Sequence, residues 1–221
     1  MNLPLRLKTI GDFIEDGEKV ADVGADHGLL ELYLLGKYPQ MEIVAIDNKV
    51  GPYKNLQATL GCFKNVRLSL SDGLTSVDKD CTTLVLAGMG GLNIQKILKD
   101  NPQKLDKITK IITDAHRDPN VSRKTIVLLG YKINKEILVY EEEKFYVISE
   151  FIKSNEKIEY SDDVYEFGYE IYNDKLWPSY KEYLKEKNEK VIANCRKIKR
   201  LQDKVLQYQK LNERLEIYGK D

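Results

Sequence analysis

The sequence is poor in cysteine: Cys62, Cys81 and Cys195 are its only three, an odd number at wide spacing. That excludes a disulfide framework and offers no zinc-ligand spacing, so no metal site is expected and a reducing cytoplasm is the simple reading. No apolar run approaches the roughly 18 residues of a membrane span, and Met1 to Ile10 lacks the charged-then-apolar layout of a signal peptide. No membrane partner is expected. Net charge is missing too, because 35 Lys and Arg stand against 35 Asp and Glu. Such a balance ordinarily argues against a nucleic-acid partner. The zero conceals a division, however. From Tyr180 to Asp221 there are 12 basic and 7 acidic residues, a net of +5, while residues 1–179 carry the compensating −5.

What is present is one α/β domain's worth of chain and an appendage. The 221 residues, 42% of them hydrophobic, suffice for a core but not for two full enzyme domains. Lys19 to Val23 reads as a strand, followed by a glycine-containing turn and a helix from Leu29 to Tyr38 that Pro39 ends. Further strands are expected at Glu42–Ile46, Val66–Leu70, Thr83–Ala87 and Lys110–Thr113. Helical patterns run from the turn at Gly51-Pro52 to Leu60, from Leu92 to Lys99 and from Val121 to Leu129. Alternation of this kind implies a parallel sheet covered by helices. Tyr131–Leu138 and Phe145–Phe151 leave no room for a crossover and should form an antiparallel hairpin. Five βα steps and a terminal hairpin make the seven-stranded, Rossmann-like sheet typical of class I methyltransferases, expected over residues 1–153.

Residues 154–221 are expected to be a polar linker and a C-terminal helical coiled-coil domain. From Ser179 to Tyr218 there is neither Gly nor Pro, and Pro178 suits the first turn of a helix. Leu184, Val191, Ile198 and Val205 recur seven apart, which argues for a coiled coil over a solvated helix. Lys187, Asn194 and Asn212 interrupt the seam, leaving an antiparallel helical hairpin as the other reading.

The strongest local signal is VADVGADHG, Val20 to Gly28, between a strand and a helix. It lacks the G-x-G-x-x-G spacing of dinucleotide binders. Asp22 and Asp26 would repel a pyrophosphate but suit a cationic ligand, such as the ammonium end of S-adenosylmethionine, while Gly24 lets backbone pass close to it. Asp47 closes the second strand, where an acid accepts ribose hydroxyls, and Asp72-Gly73 follows the third, where one accepts an adenine amine. Each acid taken singly is an ordinary cap or turn residue; three at successive strand ends favour a cofactor site. At the fourth strand end LAGMGG, Leu86 to Gly91, has no polar-Pro-Pro-aromatic motif of the enzymes that methylate exocyclic amines, which makes such an amine a less favoured acceptor.

VADVGADHG, Asp47 with Gly51-Pro52, SDGL from Ser71, LAGMGG, and Phe167-Gly168 together resemble the bacterial tRNA (adenine-22-N1)-methyltransferases, over most of the chain. The resemblance implies S-adenosylmethionine as methyl donor and N1 of an adenine in the D-arm region of tRNA as acceptor. It implies that Arg6 reaches the cofactor carboxylate, and that Asp22, Gly24, Asp26 and His27 shape the first loop. It further implies that Asp47 contacts the ribose, Asp72 and Gly73 the adenine, and that Gly88 and Met89 lie beside the sulfonium and the incoming base. The chain departs from the family at Ala25, usually Ser, at Asp47, commonly Glu, and at Ile112 to Asn120, where a Gln-Pro-Asn run is usual. Asp114 and His116 are expected there as surface-loop residues rather than substitutes.

N1 of adenine already carries a lone pair, so alignment and exclusion of water are the main requirements, with the base unpaired and turned out. No general base is needed. Asp26 is the candidate to stabilise the charge developing on the ring, with His27 positioning it or the cofactor; His27 serves equally well as a loop-fixing hydrogen bonder. Lys190, Arg196, Lys197, Lys199 and Arg200 are the candidate tRNA-phosphate contacts, against a reading as ordinary solvated helix charge. A monomer or weak dimer is expected. Two other functions stay open: a methyltransferase of a small molecule or protein, with the tail as a dimerisation helix, and a non-catalytic cofactor-binding RNA adaptor.

Overall fold

The computed structural model describes residues 3–220. Seven strands form one sheet: β1 (Val20–Val23), β2 (Ile43–Asp47), β3 (Val66–Leu70), β4 (Thr83–Gly90), β5 (Lys110–Arg117), β6 (Tyr131–Glu141) and β7 (Lys144–Lys153). Their order is β3-β2-β1-β4-β5-β7-β6. The first five are parallel, whereas β7 pairs antiparallel with both β5 and β6. Every residue of β1 and β2 is buried, as befits central strands covered on both faces. The edge strand β3 has no buried residue.

Helices α1 (Leu5–Asp12), α2 (Leu29–Lys37), α3 (Val50–Leu60), α4 (Gly91–Asp100) and α5 (Pro119–Leu128) accompany the sheet. α4 buries Ile94, Ile97 and Leu98, three and four residues apart on one face. Each such side chain contributes about 1.5–3 kcal/mol when fully withdrawn from water. α2 buries Leu30, Leu34 and Leu35 in the same way and stops at Tyr38, which precedes Pro39.

Three features differ from the sequence-based expectation. α1 has no strong apolar pattern and was not anticipated. The step from β3 to β4 carries no helix, so four rather than five βα steps are helical; Leu74 and Val77 are buried and anchor its turns instead. Gly51 and Pro52, expected in a turn, lie in the first turn of α3, where proline's missing N–H costs nothing.

The chain divides into two compact units, the first ending at Glu159 and the second beginning at Tyr160. The second holds α6 (Asp162–Phe167), α7 (Trp177–Arg196) and α8 (Gln202–Ile217). Of the two readings of the tail, the structure has the antiparallel helical hairpin: the helix breaks after Arg196, Ile198 is extended and exposed, and α8 folds back on α7. Ile192 and Cys195 pack against Val205 near the turn. Farther along, Asn188 Nδ2 donates to Asn212 Oδ1 at 2.7 Å, while Lys181 and Lys185 pair with Glu216 at 3.0 and 2.8 Å. Of the residues that interrupt the heptads, Asn212 thus helps to hold an antiparallel pair, through Asn188. Among the described residues no helix is long and apolar enough to cross a membrane.

Candidate functional site

The strand order reverses between β1 and β4, where the loops leaving the strand ends diverge and open a crevice. A cavity of about 550 Å³ lies there. On one side is the first loop. Gly24 and Ala25 donate their backbone N–H groups to Ile46 O at 2.8 and 3.1 Å, which pins the loop against the end of β2. Gly24 has φ +90°, and a Cβ on it would stand 3.3 Å from Met89 Cε across the cavity. Asp26, at φ 50°, and His27 stand at the rim with side chains 59% and 60% exposed, Oδ2 3.6 Å from Nε2. Both line the cavity, outside hydrogen-bond distance of each other.

Asp22 also lines the cavity but is buried, and burial pushes its carboxyl up to about 7. Contact with buried Glu31 on α2 partly opposes that rise, and the charge of Asp47 adds to it. Burial and the charge of Asp22 push Glu31 higher in the same sense. Asp47, at the end of β2, accepts from Lys49 N through Oδ1 at 2.9 Å, and among the described residues Oδ2 is left for a ligand's hydroxyls. Asp72 and Gly73 do not line the cavity. Asp72 is exposed and accepts from Asn48 Nδ2 at 3.1 Å, and it is Asn48 that reaches the lining.

The opposite wall comes from β4 and β5. Ala87 pairs with Asp114 and Met89 with Ala115, so Gly88 is left out of register and bulges towards the cavity that it and Met89 line. The bulge lengthens β4 beyond the expected Ala87. β5 likewise continues past Thr113, and this corrects the reading of Asp114 as a surface-loop residue: it is fully buried within the strand. Its Oδ2 accepts from Arg6 Nη1 at 3.3 Å and from His116 Nε2 at 3.0 Å, and both partners line the cavity. Arg6 comes from α1 and lies over the Tyr146 ring, 5.8 Å from its centroid.

Sequence reasoning missed Glu31, Asn48, Asn93 and the Asp114–His116 pair. Asn48 adjoins an expected strand-end acid, a signal that was present. No periodicity marks the others. The expected phosphate contacts belong to the second unit: Lys190 lies on α7, while Arg196, Lys197, Lys199 and Arg200 gather at the turn between α7 and α8. All five are exposed, and among the described residues none of them makes an ion pair. Lys185 differs, being held by Glu216.

Two acids at adjacent strand ends, a glycine cradle and an arginine opposite can receive a nucleoside joined to an amino acid. Residues 3–149 match a protein family model described as a methyltransferase domain. The chain belongs to this family. The methyltransferase domain is similar to that of the tRNA (adenine(22)-N(1))-methyltransferase of Bacillus subtilis (strain 168), with 25% identity over 152 residues. That stretch is 67% of this chain and 64% of the relative, slightly less than two thirds of the relative's length. In fold the chain is similar to M. capricolum TrmK in complex with S-adenosyl-homocysteine, with TM-score 0.84 and 23% identity over 98% of this chain and 97% of that one. It is also similar to a putative tRNA (m1A22) methyltransferase of Streptococcus pneumoniae in complex with S-adenosyl-L-methionine, with TM-score 0.79 and 24% identity over 96% of this chain and all of the other.

Proposed function

We propose that the chain is an S-adenosylmethionine-dependent tRNA methyltransferase that acts on N1 of an unpaired adenine, adenine 22 in the D-arm region, in the cytoplasm and as a monomer or weak dimer. The observation that carries this reading is the convergence of Asp22, Asp47 and the Gly24 loop on one wall with bulged Gly88–Met89 on the other, around one cavity at the reversal of strand order. Membership of the methyltransferase-domain family and the likeness to the Bacillus subtilis enzyme support it.

The donor set suits the cofactor. Asp47 would take the ribose hydroxyls, Asp22 the ammonium group, Arg6 the carboxylate, and Asn48, held by Asp72, the adenine side. When bound, S-adenosylmethionine supplies an electrophilic methyl group. The residues of the chain then have two tasks: to hold the lone pair of N1 in line and to keep water away from it. Gly88 and Met89 form the wall against which the base lies. Asp26 at the rim, aided by His27, places negative charge near a ring that becomes cationic as the bond forms, favouring the transition state over the ground state. Lys190, Arg196, Lys197, Lys199 and Arg200 are the proposed phosphate contacts, which supply sequence-independent affinity.

The test is incubation with methyl-labelled S-adenosylmethionine and unmodified total tRNA, followed by nucleoside mapping. Label in N1-methyladenosine is expected. Label in guanosine or on protein, or none in RNA, overturns the reading.

A further inference from the structure

Asp114 is a fully buried carboxylate whose side chain, among the described residues, accepts only two hydrogen bonds, from Arg6 and His116, while Oδ1 has none. A buried acid that served the fold would be expected to bond backbone or neighbouring core groups. This one holds two side chains, both from the cavity wall. It sits beside Ala87, one residue from bulged Gly88. His116 packs its ring edge-on against Tyr146, with centroids 5.2 Å apart, and its side chain is 36% exposed. A carboxylate can only accept, so Nε2 is the nitrogen that donates to Asp114, and Nδ1 is the ring nitrogen left to accept from a ligand.

We propose that His116, oriented by Asp114, accepts a hydrogen bond from the exocyclic amine of the acceptor adenine and selects adenine over guanine; this rests on the tRNA-adenine reading above. Next to N1, adenine presents an N6–H donor. Guanine presents O6, a second acceptor, and a proton on N1 itself. An acceptor on the wall rewards the first pattern and sets lone pair against lone pair with the second, and rejecting a mismatched partner in a desolvated site costs more than a matched bond gains. His116 is the contact residue, and Asp114 is a positioning residue that acts through it.

The experiment uses tRNA transcripts carrying adenine, or purine without the 6-amino group, at the methylated position. These are assayed with the wild-type chain, His116→Ala, His116→Gln and Asp114→Asn, and S-adenosylmethionine affinity is measured alongside. His116→Ala is expected to lose roughly three- to tenfold in kcat/KM on adenine and little on purine. His116→Gln, whose amide oxygen can accept, is expected to recover part of that loss; it also carries the test if the alanine variant does not fold. Asp114→Asn is expected to lower the adenine-to-purine ratio in the same direction, a readout that a purely structural role would leave unchanged. Equal losses on both transcripts, or none, overturn the inference while leaving the wild-type activity and the function standing. Absence of wild-type transfer to any adenine overturns both.

Discussion

The carboxyl groups of Asp22 on β1 and Glu31 on α2 are buried together beneath the first loop, 5% and 0% exposed. Burial, mutual charge and the close approach of the two side chains link their titrations. Two ionised carboxylates in one dry space would repel, so Glu31 keeps its proton while Asp22 ionises near neutrality. A cationic ligand group arriving beside Asp22 would favour its ionised form.

Stability should therefore fall with pH in a defined window. Asp22 has a folded value of about 7 against roughly 3.9 when unfolded. The native state binds the extra proton between those values, so this contribution declines as pH rises through them and is lost above the upper one. Asp22→Asn keeps the shape without the charge. Relative to wild type it should gain stability from pH 4 to pH 8, by up to about 4 kcal/mol. Urea unfolding at several pH values measures the difference, and a pH-independent difference would contradict the assignment.

Gly24→Ala should damage ligand binding more than folding. A side chain at φ +90° is strained by about 1–2 kcal/mol, and the new methyl would meet Met89 across the cavity. We expect a modest drop in melting temperature and at least a tenfold loss of S-adenosylmethionine affinity by calorimetry. Unchanged affinity would mean that the loop is not the cradle.

Arg123 and Glu136 form a buried pair, Nε to Oε1 2.8 Å, at 1% and 0% side-chain exposure, and Ser149 Oγ also donates to Glu136. Arg123→Met would strand the carboxylate in the core at a cost of about 3–5 kcal/mol. Adding Glu136→Leu should recover part of it. Chemical denaturation of the single and double variants checks this, and a neutral single variant would refute it.

Arg196→Glu, Lys197→Glu and Arg200→Glu together reverse three charges at the exposed turn between α7 and α8. tRNA binding should weaken, and the slope of log affinity against log salt should shrink by about three, with S-adenosylmethionine affinity unchanged. Unaltered tRNA binding would remove the turn from the RNA-binding surface.

The central strands were legible because a strand covered on both faces must be a continuous apolar run, and VADV and IVAID are such runs apart from their acids. The acids themselves were legible as departures from that pattern at strand ends. Glu31 was not: it interrupts an apolar helix face, and nothing local says whether a helix turns that side chain to water or to Asp22. Asp114 and His116 were hidden for a related reason. Asp-Ala-His-Arg looks like loop, yet β7 supplies Ile148 as the partner of Asp114 and extends the strand under cover.

The sequence by itself determined the order of the seven strands along the chain, the terminal hairpin, and the identity of the acids and glycines near the strand ends. These depend on local periodicity and on the few residue types that tolerate a tight turn. Tertiary structure alone decided that Arg6, Asp114 and His116 meet, that Asp72 stands behind Asn48, and that the gapless helical tail breaks at Ile198 and folds on itself. The reason in each case is that burial and pairing depend on residues tens of positions away, whose approach no local pattern encodes.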